Sequence, residues 1–173
     1  MSETLLAWLN LYAGGRDRVR ERLSGHPVLV YVPPGDPDAS RDGVGVPNRQ
    51  LRTDSGLGAT GLGGGAPMAA VVEKTRENVF KERITVGRTG NNDLKLDDPS
   101  VSRFHAWLEM GAEAWVLVDA GSRNGTYLAG RRLAARQPAP LTNALAVRVG
   151  AVQLTFFTAE GFLDFLERRA QEK

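Results

Sequence analysis

The sequence predicts a mainly β protein, an antiparallel sandwich or barrel, with short helices at both ends of the chain. From Met68 onward, short apolar runs are separated by turn signals such as Gly90-Asn91-Asn92-Asp93 and Gly150, and no helical pattern intervenes. Closely spaced strands without helices between them are typical of antiparallel sheets. Helical periodicity is confined to the first two dozen residues and to the last fifteen.

Eight strands are predicted in the β region from the alternation of apolar and polar residues. They span residues 69–74, 83–87, 94–96, 105–110, 114–119, 126–129, 145–149 and 152–157. An earlier run, residues 27–32, is rich in β-branched residues and is followed by Pro33-Pro34. It predicts a further strand, for which the prolines allow an edge position.

The N-terminal segment predicts helix, with Ser2 as its cap, an interruption at Gly14-Gly15 and an end at Ser24-Gly25. The C-terminal segment, residues 159–171, predicts a helix that Thr158 can cap. Both have one apolar face. Packing against the strands of the same chain is the favoured role for these faces, and docking to a partner or a membrane surface is the alternative for the first one.

Residues 35–67 are dominated by Gly, Pro, Asp, Ser and Arg and predict a flexible linker or long loop. Residues 56–61 match the glycine spacing G-x-G-x-x-G of dinucleotide sites. That fingerprint requires a strand before it and a helix after it, and neither pattern is present here. The match is therefore interpreted as linker composition.

Composition excludes several classes of function. The 173 residues include no cysteine and two histidines, so a disulfide framework, a thiolate metal site and a cysteine nucleophile are excluded, and no metal or cofactor is expected. No apolar run approaches the roughly 20 residues of a membrane span, and a cytoplasmic location is expected. The net charge is only +2 and many arginines alternate with acidic residues, which disfavours a general nucleic-acid binder.

Three polar clusters lie at loop positions between predicted strands. They are Gly87-Arg88, Ser102-x-x-His105 and Ser122-Arg123-Asn124-Gly125-Thr126. Arginine, hydroxyl and amide donors suit a phosphorylated side chain, which carries nearly two negative charges and three strong acceptor oxygens. A Ser-His catalytic pair is the competing interpretation, but no orienting acid is identifiable for a triad.

The order and spacing of these clusters resemble the signature of the forkhead-associated (FHA) domain, over about residues 69–157. The resemblance implies a two-sheet antiparallel β-sandwich that binds phosphothreonine peptides with the loops at one end and is not an enzyme. Together with the composition and periodicity of the other segments, the resemblance predicts the divisions 1–34 (N-terminal helical segment and strand), 35–67 (flexible linker or loop), 68–158 (FHA sandwich) and 159–173 (C-terminal helix). The Gly-Asp turn common in the family is absent from residues 141–145.

The resemblance also implies which residues form the site. The phosphopeptide ligands are Arg88, Ser102, Arg103, Arg123 and Asn124, and the residues that support the site are Gly87, His105 and Gly125. Asn91, Asn92, Arg131 and Arg132 are candidates for contacts with peptide residues beyond the phosphothreonine. Arg131 or Arg132 would favour an acidic residue there.

The resulting hypothesis is a phosphothreonine-binding module in Ser/Thr-kinase signalling, whose partner is a phosphorylated kinase or its substrate. One alternative is a phosphate-independent scaffold, for example in a secretion apparatus, and a weaker one is a nucleic-acid binder. Thr53, in the predicted linker, is a candidate phosphosite that would occupy the chain's own binding site.

Overall fold

Two β-sheets form the centre of the molecule. The structure, a computed structural model, describes residues 2–33, 66–75 and 79–172. A seven-stranded sheet (sheet I) has the order β1-β3-β2-β12-β11-β8-β9, and a five-stranded sheet (sheet II) has the order β10-β7-β6-β4-β5. All neighbouring strands are antiparallel except β4 and β5, which are parallel. The two-sheet sandwich with short helices at both ends confirms the predicted fold class.

The elements are numbered in the order in which they follow one another along the chain. The strands are β1 (Ser2–Thr4), β2 (Val28–Tyr31), β3 (Met68–Val71), β4 (Ile84–Gly87), β5 (Leu94–Lys95), β6 (Ala106–Met110), β7 (Trp115–Asp119), β8 (Thr126–Leu128), β9 (Arg131–Arg132), β10 (Pro138–Pro140), β11 (Leu145–Val149) and β12 (Val152–Phe157). The helices are α1 (Leu5–Ala13), α2 (Arg16–Leu23) and α3 (Ala159–Gln171).

The apolar residues divide into two cores that share sheet I. The first core lies between the sheets and includes Leu29, Val86, Leu108 and Phe156. The second lies between the opposite face of sheet I and the three helices, and it includes Val30 and Phe157 together with the helix residues Trp8 and Phe162. Because successive side chains of a strand point to opposite faces, β2 contributes alternately to both cores.

The helices therefore pack on a sheet of the same chain, which is the role that the sequence analysis favoured for their apolar faces. Arg16 of α2 also forms ion pairs with Asp164 (2.7 Å) and Glu167 (2.8 Å) of α3. Exposed ion pairs of this kind contribute little to stability because water screens them. The apolar contacts are the main source of cohesion in the helical layer. No helix in the described ranges is long and apolar enough to cross a membrane.

Several local predictions differ from the structure. Thr4, and not Ser2, caps α1, because its hydroxyl accepts a hydrogen bond from the backbone N–H of Ala7 (3.2 Å). Ser2 lies in β1. The strand β2 is not at an edge but between β3 and β12, so the edge position was wrong. The Thr158 cap of α3 is confirmed, since its hydroxyl accepts from the N–H of Gly161 (3.1 Å).

The predicted linker lies almost entirely outside the described residues, as do the glycine fingerprint at residues 56–61 and Thr53. The domain divisions remain a prediction. In the structure, β1 and β2 from the N-terminal segment join the same sheet as β11 and β12. In the turn where the family's Gly-Asp is absent, Ala144 adopts a left-handed conformation with φ of 58°.

We expect the helical layer to be an integral part of the fold. Trp8 is fully buried and its ring lies 5.3 Å from that of Phe162, so Trp8→Ala should lower the free energy of unfolding by about 3–5 kcal/mol. Leu6 on the same helix is 57% exposed, and Leu6→Ala should change it by far less. Urea denaturation of both variants measures the difference, and equal small effects would contradict this packing.

Candidate functional site

Four loops meet at one end of the sandwich and are joined by hydrogen bonds. The backbone N–H of Arg88, after β4, donates to the carbonyl of Ser102 (3.0 Å). The N–H of Arg123, between β7 and β8, donates to the hydroxyl oxygen of Ser102 (3.2 Å). The N–H of Ala151, between β11 and β12, donates to the hydroxyl oxygen of Ser100 (2.7 Å). The loop containing Ser100 and Ser102 is thus the common attachment point.

Gly87 and Arg88 lie where β4 ends and passes close to this central loop. A Cβ atom on Gly87 would overlap the carbonyl group of Arg103, so only glycine fits without displacing the loop. The Arg88 side chain is exposed and has no ion pair within the described part of the chain. Its guanidinium is therefore free to bind an anion.

Ser102 presents a hydroxyl at the centre of the loop cluster. Its oxygen accepts from Arg123, and its proton has no acceptor among the residues that the structure describes. The next side chain, Arg103, is exposed. The carbonyl of Arg103 accepts hydrogen bonds from the Asn92 amide (2.7 Å) and the Thr89 hydroxyl (3.0 Å), which tie it to the loop after β4.

Asn92 was expected to contact the peptide, but the structure places it inside the loop cluster. Its side chain is 4% exposed, and its amide also donates to the carbonyl of Thr89 (2.9 Å). An amide committed to these acceptors braces the loop and does not face a peptide. Asn91, beside it, is exposed and contacts the hydroxyl of Thr89.

His105 is fully buried and joins two loops through its ring. Its Nδ1 accepts from the backbone N–H of Ser102 (3.0 Å), so the proton lies on Nε2, which is 3.1 Å from the carbonyl oxygen of Gly125. Burial lowers the pKa of His105, against smaller opposing effects of the Gly125 carbonyl and the Asp119 carboxylate. The ring bonds the backbone of Ser102 and not its hydroxyl, which is unlike a Ser-His catalytic pair.

Asp119 organises the loop that carries Arg123 and Asn124. One carboxylate oxygen accepts from the N–H groups of Gly121 (2.8 Å) and Ser122 (2.9 Å), and the other from the hydroxyls of Ser122 (2.6 Å) and Thr126 (2.6 Å). Burial by itself would raise the pKa of Asp119, but these four hydrogen bonds outweigh it and hold the pKa below its ordinary value. The loop therefore closes around a carboxylate that is ionised at neutral pH.

Asn124 and Gly125 complete the cluster. The exposed Asn124 side chain donates one hydrogen bond to the carbonyl of Ser100 (2.7 Å), which leaves its second N–H and its oxygen available to a ligand. Gly125 has φ of 81°, a conformation that glycine adopts without strain. Arg123 is exposed, and no ion pair with a described residue neutralises it.

The structure brings together all eight residues that the sequence singled out for the site. Three further residues were missed as site organisers: Asp119, Thr89 and Asn92. The run Asp-x-Gly-Ser from Asp119 to Ser122 is a usable signal, because an Asp side chain commonly accepts from backbone N–H groups two and three residues ahead. Over the described ranges, no three His, Cys, Asp or Glu side chains gather in a way that could hold a metal ion.

These features define an antiparallel two-sheet sandwich with a donor-rich site built from the loops at one end. The profile of the FHA domain matches residues 84–150, which include all eight residues that the sequence singled out for the site. The resemblance to the FHA family that the sequence suggested is therefore confirmed over residues 84–150. The strands β1 to β3 and all three helices lie outside the matched range.

Among curated proteins, the chain is similar to the glycogen accumulation regulator GarA of Mycolicibacterium smegmatis, with 38% identity over 77 residues, 43% of this chain and 45% of that protein. It is also similar to the oxoglutarate dehydrogenase inhibitor of Corynebacterium jeikeium, with 33% identity over 76 residues, 44% of this chain and 51% of that protein. The chain spans about half the length of the curated relatives it matches.

Among solved structures, the N-terminal FHA domain of Saccharomyces cerevisiae Rad53p, in complex with a phosphothreonine peptide, aligns with a TM-score of 0.46 and 21% identity, over 56% of this chain and 89% of that one. Mycobacterium tuberculosis EmbR, in complex with a phosphopeptide, aligns with a TM-score of 0.42 and 27% identity, over 44% of this chain and 20% of that one.

The close approach of the Arg103 carbonyl to Gly87 predicts that a methyl group added at Gly87 lowers thermal stability, whereas one added at Gly90 does not. Gly87→Ala should push the Arg103 carbonyl away from Asn92 and Thr89 and lower the melting temperature by several degrees, because overpacking costs about 1–3 kcal/mol. Gly90→Ala is the matched control, since a Cβ there meets no atom within 4 Å. Thermal unfolding of both variants is the measurement, and an equal effect of the two would refute the tight contact.

The neutral state of His105 predicts a dependence of stability on pH. The folded-state pKa lies below the ordinary 6.5, so the unfolded chain binds a proton that the folded chain does not. The free energy of unfolding should therefore fall as the pH drops through 6.5 toward the folded pKa. Urea denaturation at about pH 7.5, 6.5 and 5.5, a range that brackets the ordinary pKa of histidine, tests this. A constant or rising stability toward low pH would be inconsistent with a buried neutral ring.

Proposed function

We propose that this chain is a non-catalytic module that binds phosphothreonine peptides and thereby recruits phosphorylated partners of Ser/Thr kinases. The observation that carries the proposal is the group of donors at the loop end, the Arg88 guanidinium, the Ser102 hydroxyl and the Asn124 amide, on loops that are hydrogen-bonded to one another. Loops that are fixed before binding lose little freedom when the ligand arrives, and the donors extend from such loops.

Each donor suits a different part of such a ligand. The Arg88 guanidinium and the Ser102 hydroxyl suit the phosphate oxygens, to which charge-assisted hydrogen bonds are short and strong. The Asn124 amide has both a donor and an acceptor and suits the peptide backbone on either side of the phosphothreonine. Arg103 and Arg123 flank the site and add positive charge. The roles of Gly87, His105 and Gly125 are to keep the loops in register.

The curated relatives support a regulatory role. One is a regulator of glycogen accumulation and the other an inhibitor of oxoglutarate dehydrogenase. We therefore propose that the partner is a kinase, a kinase substrate or an enzyme regulated through one of these, and that the encounter takes place in the cytoplasm.

A second function is favoured by the helical layer. The matched family range contains none of its three helices, which cover one face of sheet I. A scaffold that docks a partner through this layer would not need the phosphate ligands. The two functions differ in whether partner capture depends on Arg88.

The proposal is tested by titration with a degenerate peptide library that has a fixed central phosphothreonine. Binding should be undetectable for the same library with threonine. It should be about fourfold weaker with phosphoserine, because one buried methyl group contributes roughly 0.8 kcal/mol. Arg88→Ala and Ser102→Ala should each weaken binding at least about tenfold, since hydrogen bonds to charged groups contribute about 1.5–3 kcal/mol.

Arg168→Ala is the matched control, because Arg168 is an exposed arginine on α3, outside the loop cluster. It should leave the affinity unchanged. Equal binding of the phosphothreonine and threonine libraries would refute the proposal. Capture of a natural partner that survives Arg88→Ala would establish the scaffold function in its place.

A further inference from the structure

The half of sheet I that the helices leave uncovered carries a row of three side chains. Arg132 of β9 lies directly opposite Tyr127 of β8, and Tyr127 lies directly opposite Arg148 of β11. Residues opposite each other on neighbouring antiparallel strands point to the same face of the sheet. We call these three residues the arginine-tyrosine row. The sheet residues that contact the helices come from β2, β3 and the end of β12.

The Arg148 side chain is held in place by two contacts, one of them with Tyr127 of the same row. The guanidinium carbon of Arg148 lies 3.5 Å from the centroid of the Tyr127 ring, and its NH1 group donates to the carbonyl of Gly150 (2.8 Å). A planar guanidinium stacks well on an aromatic face, and this contact holds it in one orientation. The remaining N–H groups of Arg148 have no acceptor in the part of the chain that the structure describes.

The row reaches the phosphopeptide loops at Gly125. A Cβ atom built there would lie 2.7 Å from Nε of Arg132 and 3.2 Å from Cε2 of Tyr127. The guanidinium and the ring thus occupy the space that a side chain at position 125 would need. Gly125 directly follows Asn124, so the row begins one residue from the proposed peptide clamp.

The charge of the row is not neutralised. Neither Arg132 nor Arg148 has a carboxylate within ion-pair distance among the described residues. In contrast, Arg16, Arg20, Arg22 and Arg83, elsewhere on the molecule, each form an ion pair of 2.7–3.1 Å. The two like charges, on the strands that flank Tyr127, repel each other, and an anion that contacts both would offset that repulsion.

We propose that Arg132 and Arg148 form a second anion site beside the phosphothreonine pocket, and that its ligand is an aspartate- or glutamate-rich flank of the same peptide. This inference rests on the proposed function, because the phosphothreonine is what brings the flank to the row. Carboxylates match the forked donors of arginine in geometry as well as in charge. The row therefore selects acidic phosphothreonine sites from the larger set that the pocket alone would accept.

The test compares three phosphothreonine peptides by fluorescence anisotropy at low ionic strength. One has four acidic residues before the phosphothreonine, one has them after it, and one has glutamine and asparagine throughout. We expect one acidic peptide to bind the wild-type chain about 3- to 10-fold more tightly than the neutral peptide. Arg132→Gln combined with Arg148→Gln should abolish that ratio and leave the affinity for the neutral peptide unchanged.

The matched control is Arg18→Gln combined with Arg168→Gln, which removes two exposed charges from the helical layer and should preserve the ratio. The neutral peptide also reports whether a variant is folded. If the Arg132/Arg148 variant fails to bind it, Arg132→Gln alone, which leaves the contact between Arg148 and Tyr127 in place, decides the matter through the same ratio.

Three outcomes would overturn the inference while the proposed function stands. They are equal affinities of the wild-type chain for all three peptides, a ratio that survives loss of Arg132 and Arg148, and a ratio that is equally lost in the helical-layer control. Failure of the wild-type chain to bind any of the three peptides would instead overturn the proposed function, and the inference with it.

Discussion

The arrangement of the loop end depends on a single buried imidazole. His105 accepts a hydrogen bond from the backbone of Ser102 with one nitrogen and contacts the carbonyl of Gly125 with the other. These two backbone positions adjoin Arg103 and Asn124, so the width of one ring sets the spacing between the serine hydroxyl and the asparagine amide. A ring with one donor and one acceptor is required, because an imidazolium would direct a proton at the Ser102 N–H. Burial serves this requirement by keeping the ring neutral.

The excess of positive charge at the loop end has two sources. One is the number of arginines, and the other is that nearby carboxylates accept hydrogen bonds within the fold. Asp119 accepts four hydrogen bonds within its own loop. Asp93 is occupied by Lys74 and the N–H of Thr85, and Asp98 by Ser100. These hydrogen bonds and the ion pair engage the three carboxylates within the fold. The exposed guanidiniums of Arg88, Arg103 and Arg123 form no ion pair with a described residue, although the overall charge of the chain is nearly balanced.

Most of the strands could be predicted from the sequence because alternation of apolar and polar residues is a local signal. It missed β10, since Pro138 and Pro140 cannot donate to a ladder and occur in sheets mainly at edges such as this one. It missed β9 because two exposed arginines have no apolar face. Asn92 was expected on the surface because its acceptor, the Arg103 carbonyl, is eleven residues away in the chain. The motif predicted which residues lie together at the loop end. The burial of supporting residues such as Asn92 could not be predicted, because it depends on tertiary contacts.

The burial of β2 on both faces has a consequence for folding. Leu29 and Tyr31 point into the sandwich core, and Val28 and Val30 point into the core beneath the helices. In most strands a slip of one residue would expose apolar side chains, which penalises the wrong register. In β2 the same slip would exchange one apolar set for another. Side-chain shape, together with Pro27 and Pro33, which cannot donate hydrogen bonds, must therefore align the strand on which both layers rest.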